Sequence, residues 1–442
     1  MEYIFNVRTS VTNLKVVTLP FEISDSYSIS HIRTTNKGRF AFKLRSNNIV
    51  ICKRIDQETG WEKDVYIKIE QTHPLCVFNI DSVHVLKIST FAVNTPIQIK
   101  FWNVYLSCGK ECNIVDFYFK DDNSGRQKWI LEKDDVDDSI YYIKSSHNFP
   151  DFRKYLGCPN QDNNVYMYSS KNRFTKWKIQ HVLEDLYSFE YVGEKFDPND
   201  VCLVVARYLE NIDWVRAYND IAIIYNKGNP ATLPTTMKRV VQLHNIGREG
   251  HTYLYHIIHN YDALTKYCIF LQGYPFQHNS TILIGIDNYE KGDSVQALGV
   301  RYIASWNIPP KEIVDKFVQT RPDGFQYLIA EATADHDYYG EYHFLDKIVL
   351  GKIAGYKKRY PASTSLFANF LERSKFPYTK PLDRVRFTWC GLFSVEKKHI
   401  LKWKIEAYEG IMNELLDFDQ QKFQGGTNGY LLERLWLYIF ED

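Results

Sequence analysis

Apolar and polar residues alternate in short runs through the first part of the chain, at 3–7, 14–19, 39–44, 49–54, 64–69, 83–88 and 97–102. Turn clusters such as Asn36-Lys37-Gly38, Ser46-Asn47-Asn48 and Glu58-Thr59-Gly60 separate them. Strands at that spacing predict an all-β sandwich or barrel, and no long helical pattern interrupts them up to about residue 195. A polar stretch at 194–200, with Asp197-Pro198-Asn199, reads as a linker. Beyond it the period changes. Continuous apolar runs at 201–206, 221–225 and 267–271 read as strands covered on both faces, and helical spacing falls between them. Residues 209–218, 313–318, 366–370, 400–416 and 430–440 read as helices, and 281–286 as a further short strand. The pattern predicts three regions: a sandwich-like β segment over 1–100, a second β segment over 101–196, and an α/β domain over 200–442.

The stretch 240–278 organises that last domain. Asn245-Ile246-Gly247 breaks the chain, and Gly247 can adopt a backbone angle other residues avoid. From Arg248 the apolar positions Tyr253, Leu254, Ile257, Ile258 and Tyr261 mark one buried helical face. The strand at 267–271 then ends in Gln272-Gly273-Tyr274-Pro275, where open α/β sheets place ligands.

A repeat lies inside the β half. Tyr105-Leu106-Ser107-Cys108 recurs as Tyr155-Leu156-Gly157-Cys158, and Gln127-Lys128-Trp129-Ile130-Leu131 as Thr175-Lys176-Trp177-Lys178-Ile179. Over about residues 103–182 this resembles the ricin-B type of β-trefoil, whose lobes carry a Gln-x-Trp signature; here one copy has Gln127 and the other Thr175. The resemblance implies a lectin-like module in which Trp129 and Trp177 are core residues.

Composition narrows the function. With 54 basic and 53 acidic residues the formal charge is +1, so no global field selects nucleic acid or an anionic membrane. The 32 tyrosines suit carbohydrate or protein recognition, and equally a β-rich fold. Eight cysteines are scattered without a framework, and only Cys108 and Cys112 are close, with no second pair to complete a zinc site. The expected protein is reduced, soluble and cytoplasmic, or a virion component, with no signal sequence and no apolar run long enough to span a bilayer.

The ordered segments VVARYLENIDW, IIYNKG, HNIGREGHTYLYHIIHNYDAL, CIFLQGYPFQH, WCGLFSV and GYLLERLWLYIF resemble the domain-of-unknown-function family 3431. The layout is also similar to a GT-A glycosyltransferase, a Rossmann-like nucleotide-sugar-binding fold. That resemblance implies a nucleotide-sugar donor and a glycan or glycosylated-protein acceptor. Gln272-Gly273-Tyr274 stands where such enzymes carry Asp-x-Asp and cannot bind a divalent ion through paired carboxylates, so no metal is expected. Arg or Lys would then neutralise the departing diphosphate. Arg207, Lys227, Arg248, Glu249 and Gln272 are the candidate donor-binding residues. Glu433 is the candidate general base, with Arg434 beside it.

Other constellations weigh less. Asp335-His336-Asp337 is a literal Asp-x-Asp, but it sits in a polar stretch read as a solvated loop. His251, His256 and His259 share a helix and are read as packing residues, because Glu249 does not complete a His-Glu-x-x-His motif. No Walker sequence, Gly-x-Gly-x-x-Gly or Gly-x-Ser-x-Gly is present, which argues against phosphoryl, hydride and serine-nucleophile chemistry. The competing class is a non-catalytic carbohydrate-binding or structural protein with a degenerate transferase domain.

Overall fold

A computed structural model describes residues 85–88, 90–101, 104–109, 115–118, 120–147, 153–161, 165–183, 186–300, 314–333, 337–339, 342–344, 366–379, 382–420 and 427–441, together with strands between residues 4 and 67. The chain divides into two units, Met1–Phe196 and Asp197–Asp442.

In the first unit, antiparallel pairing runs in sequence through Pro96–Ile97, Trp129–Lys133, Ile140–Ser145, Lys176–Leu183, Leu186–Tyr191 and Val85–Ile88. It then reaches Ile99–Phe101, which continues Pro96–Ile97 after Gln98 alone. The ring of six strands therefore closes, and a closed sheet has no edge to expose. Two hairpins rise from it, Val104–Cys108 with Val115–Tyr118 and Tyr155–Gly157 with Tyr166–Tyr168. Strands Ser28–Thr34 and Phe40–Arg45 add to the first of these hairpins. Ser28–Thr34 is the one long strand before residue 85 that alternation does not announce, because Ser, His, Arg and Thr fill it.

The sequence repeat is a repeat of bonds. Trp129 Nε1 donates to the Leu106 carbonyl at 2.8 Å, and Trp177 Nε1 donates to the Leu156 carbonyl at the same 2.8 Å. Both indoles are fully buried, each stapling its strand to its own hairpin. The copies differ in the bond beside each Trp. In the first, Gln127 Nε2 donates to Ser107 Oγ at 3.1 Å. In the second, Gly157 replaces that serine, because a Cβ there would stand 2.4 Å from the Phe174 carbonyl oxygen. Thr175 instead closes a capping box with Asn172. Gly157→Ala is expected to lower the stability of this unit by about 1–3 kcal/mol through overpacking, seen as faster amide exchange in Tyr155–Gly157 and Tyr166–Tyr168.

The second unit holds a six-stranded sheet. Its strands are Val201–Arg207 (β1), Ala222–Asn226 (β2), Val240–Gln242 (β3), Tyr267–Gln272 (β4), Val295–Ala297 (β5) and Phe393–Glu396 (β6), in the spatial order 3-2-1-4-6-5. The first four are parallel, and β6 runs antiparallel to both β4 and β5. Because β1 and β4 lie in the middle, both are apolar almost throughout. The helices are Arg248–His259 (α1), Ile282–Asp287 (α2), Leu366–Arg373 (α3), Ile405–Gln420 (α4) and Thr427–Glu441 (α5). Tyr253 of α1 is the central core group: its ring lies 5.1 Å from Phe270 of β4, 5.8 Å from Phe393 of β6 and 5.9 Å from Trp436 of α5.

Several sequence expectations change here. The run at 281–286 is α2 and not a strand; Asn279 Oδ1 accepts the Thr281 N–H at 2.8 Å, and Gly285 packs directly on Phe325. A short apolar run fits either state by pattern alone. The helix expected over 400–416 is two pieces, Lys397–Ile400 and α4. Residues 209–218 form only the 3-10 segment Asp213–Tyr218. β3 was not anticipated, being a short polar-flanked edge strand. The helix expected over 313–318 begins outside the described residues.

Candidate functional site at the strand ends

The order of the chain reverses between β1 and β4, and in open α/β sheets the crevice beyond that switch point receives ligands. Since β6 is antiparallel, it delivers the turn Trp389–Gly391 to this same end. The N-termini of α1 and α5 arrive there too, joined by Arg248, whose Nη1 donates to the Tyr430 hydroxyl at 2.9 Å. Its guanidinium also lies 4.5 Å from the centroid of the Tyr430 ring.

Two of the expected donor-binding cations are occupied by their own loops. Buried Arg207 donates through Nε to the Glu210 carbonyl at 2.9 Å, through Nη1 to Asn226 Oδ1 at 2.6 Å and through Nη2 to Thr232 Oγ1 at 2.9 Å. Burial lowers its pKa. Lys227 Nζ donates to the Ile246 carbonyl at 2.6 Å and to the Arg248 carbonyl. That grip holds the turn before α1, where Gly247 and Arg248 adopt φ values of 59° and 49°. Arg248 is thus a left-handed non-glycine residue, a conformation that clusters at functional sites.

On the other wall, Cys390 takes φ 60° and Gly391 φ 61°. Three side chains fasten this turn. Gln272 Nε2 donates to the Cys390 carbonyl at 3.0 Å, Glu433 Oε1 accepts the Cys390 N–H at 2.8 Å, and Cys390 Sγ lies 3.1 Å from His278 Nδ1. All but Gln272, which is half-buried, are buried. Burial, helped by the charges of Glu433 and Glu249, pushes the Cys390 thiol well up, so its sulfur stays protonated. Half-buried Glu249 has its pKa raised by burial, against the opposing charges of Arg248 and Lys227. The Tyr253 hydroxyl is buried with no hydrogen-bond partner, and Glu249, Cys390 and Glu433 all act on it electrostatically. Buried Arg434 packs on the aromatic rings beside this turn: its guanidinium lies 5.1 Å from the Phe387 ring centroid and 5.8 Å from that of Trp389.

Beyond β4 the chain forms a cavity of about 490 Å³ lined by Phe276, Gln277, His278, Asn279, Ser280, Val300, Asp315, Val318, Thr320 and Gln326. Sequence reasoning missed Cys390 and His278, which join this cavity to Glu433. Cys390 lies in the quoted WCGLFSV segment, but its left-handed backbone leaves no trace in residue type. Of the weaker metal alternative, Asp335 lies outside the described residues, and Asp337, where a loop was expected, belongs to the strand Asp337–Tyr339, paired with Ala332 and Phe344. Among the described residues no group of three His, Cys, Asp or Glu side chains is placed to hold a metal ion. No described helix is long and apolar enough to cross a membrane.

Two of the three α1 histidines, His251 and His256, pack inward, whereas His259 is exposed and stacks on Tyr255 at 3.7 Å between ring centroids. His256 Nδ1 shares a hydrogen bond with the Tyr225 hydroxyl at 2.9 Å, and burial brings the pKa of His256 and of His251 to about 4. Both stay neutral in the fold while an unfolded histidine titrates near 6.5. Between those values the unfolded chain binds more protons, so stability is full above pH 6.5 and falls as pH drops toward 4. Each histidine contributes up to about 3 kcal/mol to that loss. His256→Gln, which keeps a hydrogen-bond partner for Tyr225, is expected to flatten the pH dependence of urea unfolding.

The fold and site define an α/β unit with a switch-point crevice, attached to a closed β-barrel unit. The second unit resembles the DUF3431 family, described as a protein of unknown function, whose model matches residues 203–305. That match runs from the third residue of β1 through β5 and takes in α1, including Arg207, Arg248, Gln272 and His278. No curated protein matches the chain. One solved structure, described as "SeviL bound to asialo-GM1 saccharide", is similar over 37% of this chain and 98% of that chain, at 10% identity and a TM-score of 0.19. A score that low carries no argument.

Proposed function

We propose that the second unit is a GT-A-like transferase that moves a sugar from a nucleotide-sugar to a hydroxyl acceptor without a divalent metal. The supporting observation is the convergence at one end of the sheet of a cation on a helix start, Arg248, and a buried carboxylate, Glu433, one turn along α5 from the Tyr430 that Arg248 bonds. Arg248 and the first N–H groups of α1 would hold the diphosphate, where the helix dipole favours negative charge. Gln272, in the Asp-x-Asp position, holds the Cys390 turn in place of a metal. Glu433 supplies fixed negative charge on the acceptor side, worth more inside a crevice than in water. Arg207, Lys227 and Arg434 shape the walls and do not touch substrate. We read the closed ring of the first unit, with its paired Trp staples, as a β-trefoil that binds glycans.

The test is release of nucleoside diphosphate from a nucleotide-sugar by the whole chain. Glu433→Gln is expected to slow it by roughly a hundredfold or more while donor binding persists, because the amide oxygen still accepts the Cys390 N–H. Unchanged turnover in that variant would remove Glu433 from the mechanism.

A further inference from the structure

The cavity beyond β4 has a chemistry of its own. Among the described residues that line it there is no Lys or Arg, and Asp315 adds a carboxylate. These residues offer a phosphate or carboxylate ligand no counter-charge. What the described residues offer is the aromatic face of Phe276 and neutral groups on Gln277, Ser280, Thr320 and Gln326. Sugars present just the complementary surfaces, C–H faces and hydroxyls, and the volume of about 490 Å³ lies within the range of small-ligand sites. One wall is rigid: Asn279 Nδ2 donates to the Leu298 carbonyl at 2.6 Å and to the Gln326 carbonyl at 2.7 Å.

His278 is the group that joins this cavity to the candidate chemistry. Its Nδ1 faces Cys390 Sγ at 3.1 Å, and its Nε2 faces the Gln277 amide nitrogen at 3.2 Å. In the tautomer that accepts this amide N–H, Nε2 carries the lone pair and Nδ1–H faces the sulfur. Glu433 holds the same Cys390 from behind.

We propose that this cavity is the acceptor site, that it takes a neutral sugar, and that His278 Nε2 meets the acceptor hydroxyl. The assignment rests on the transfer reading above. The acceptor O–H replaces the Gln277 amide as donor to Nε2. As the acceptor oxygen bonds to the anomeric carbon of the donor sugar, its proton passes to Nε2. The bond from that carbon to the diphosphate oxygen breaks, and its electron pair leaves with the nucleoside diphosphate. Glu433, one residue behind, stabilises the imidazolium that forms. The separation of charge is consistent with this division: the anionic donor belongs at Arg248, and the neutral acceptor in the cavity whose described lining residues include no cation.

The experiment uses the full chain with ¹⁵N-labelled histidine and methyl glycosides of glucose, galactose and N-acetylglucosamine as probes. At least one glycoside is expected to shift the His278 imidazole resonance, about tenfold more weakly in Phe276→Ala and not at all in Thr320→Trp, which fills the cavity. Observing His278 separates this site from any glycan bound by the first unit. Unaltered melting of both variants shows that the fold is kept; if Thr320→Trp unfolds, Phe276→Ala alone decides. Silence of His278 with every glycoside, a shift that survives filling, or a shift only with glucose 6-phosphate or glucosamine would overturn the proposal. The transfer reading fails separately: glycoside bound in the cavity with no nucleotide-sugar bound anywhere would sink transfer, and with it the acceptor role, while leaving a sugar pocket. Donor binding with a silent cavity would sink the acceptor assignment alone.

Discussion

Replacing Trp177 with alanine is expected to cost the first unit about 3–5 kcal/mol, a large share of the roughly 5–15 kcal/mol that holds a domain folded. Two effects add. The indole is fully buried, edge-on to Tyr191 with ring centroids 5.2 Å apart, so its removal leaves a cavity the closed ring cannot collapse into. The Leu156 carbonyl also loses its 2.8 Å donor and is stranded inside the barrel. Amide exchange in Ile140–Ser145 and Lys176–Leu183 should accelerate by about a hundredfold or more, and the second unit should exchange as before. Trp177→Phe should recover part of the loss, because it restores volume but not the bond. Wild-type exchange in Trp177→Ala would contradict the staple.

Arg248→Ala is expected to weaken nucleotide-sugar binding by roughly ten- to a hundredfold, the range for losing a hydrogen bond to a charged group. The guanidinium is held by Tyr430 through a 2.9 Å bond and a ring contact, so its position is set before a ligand arrives. Tyr430→Phe keeps the ring and removes the bond, and should weaken binding less than Arg248→Ala does. Alanine at 248 must also adopt φ 49°, so the comparison is made with Arg248→Asn, whose side chain tolerates the left-handed region. Equal donor affinity in Arg248→Asn and wild type would place the phosphate elsewhere. Titration calorimetry without added metal measures both.

How much of this was legible in sequence depends on what kind of fact each feature is. Val201–Arg207 and Tyr267–Gln272 are continuous apolar runs because both faces are covered, and that pattern placed β1 and β4 and hence the strand ends. Tyr105-Leu106 and Tyr155-Leu156, each followed by its Trp, revealed the repeat because the same bond constrains both copies. Arg248 and Glu249 begin α1 and Gln272 ends β4, so the direction of these elements puts them at one end of the sheet, and Glu433, in the second turn of α5, joins them through its bond to the Cys390 N–H. Arg207 and Lys227 reach the same end, but a sequence cannot say whether a cation there faces a ligand or its own loop carbonyls. Cys390 and His278 are 112 residues apart in the chain and meet only through the antiparallel return of β6. The helix at Ile282–Asp287 was misread because six apolar-rich residues carry too few turns to separate the two periods.

The central claim, a nucleotide-sugar site at the ends of β1 and β4, is tested most directly by the melting temperature of the whole chain with UDP-, GDP- and CMP-sugars, with and without Mn²⁺. A ligand at a hundredfold excess over its dissociation constant stabilises the folded state by about 2.7 kcal/mol. The account predicts an upward shift with one nucleotide class, unchanged by Mn²⁺ and reduced in Arg248→Asn. No shift with any of them, or a shift that appears only with Mn²⁺, would contradict it.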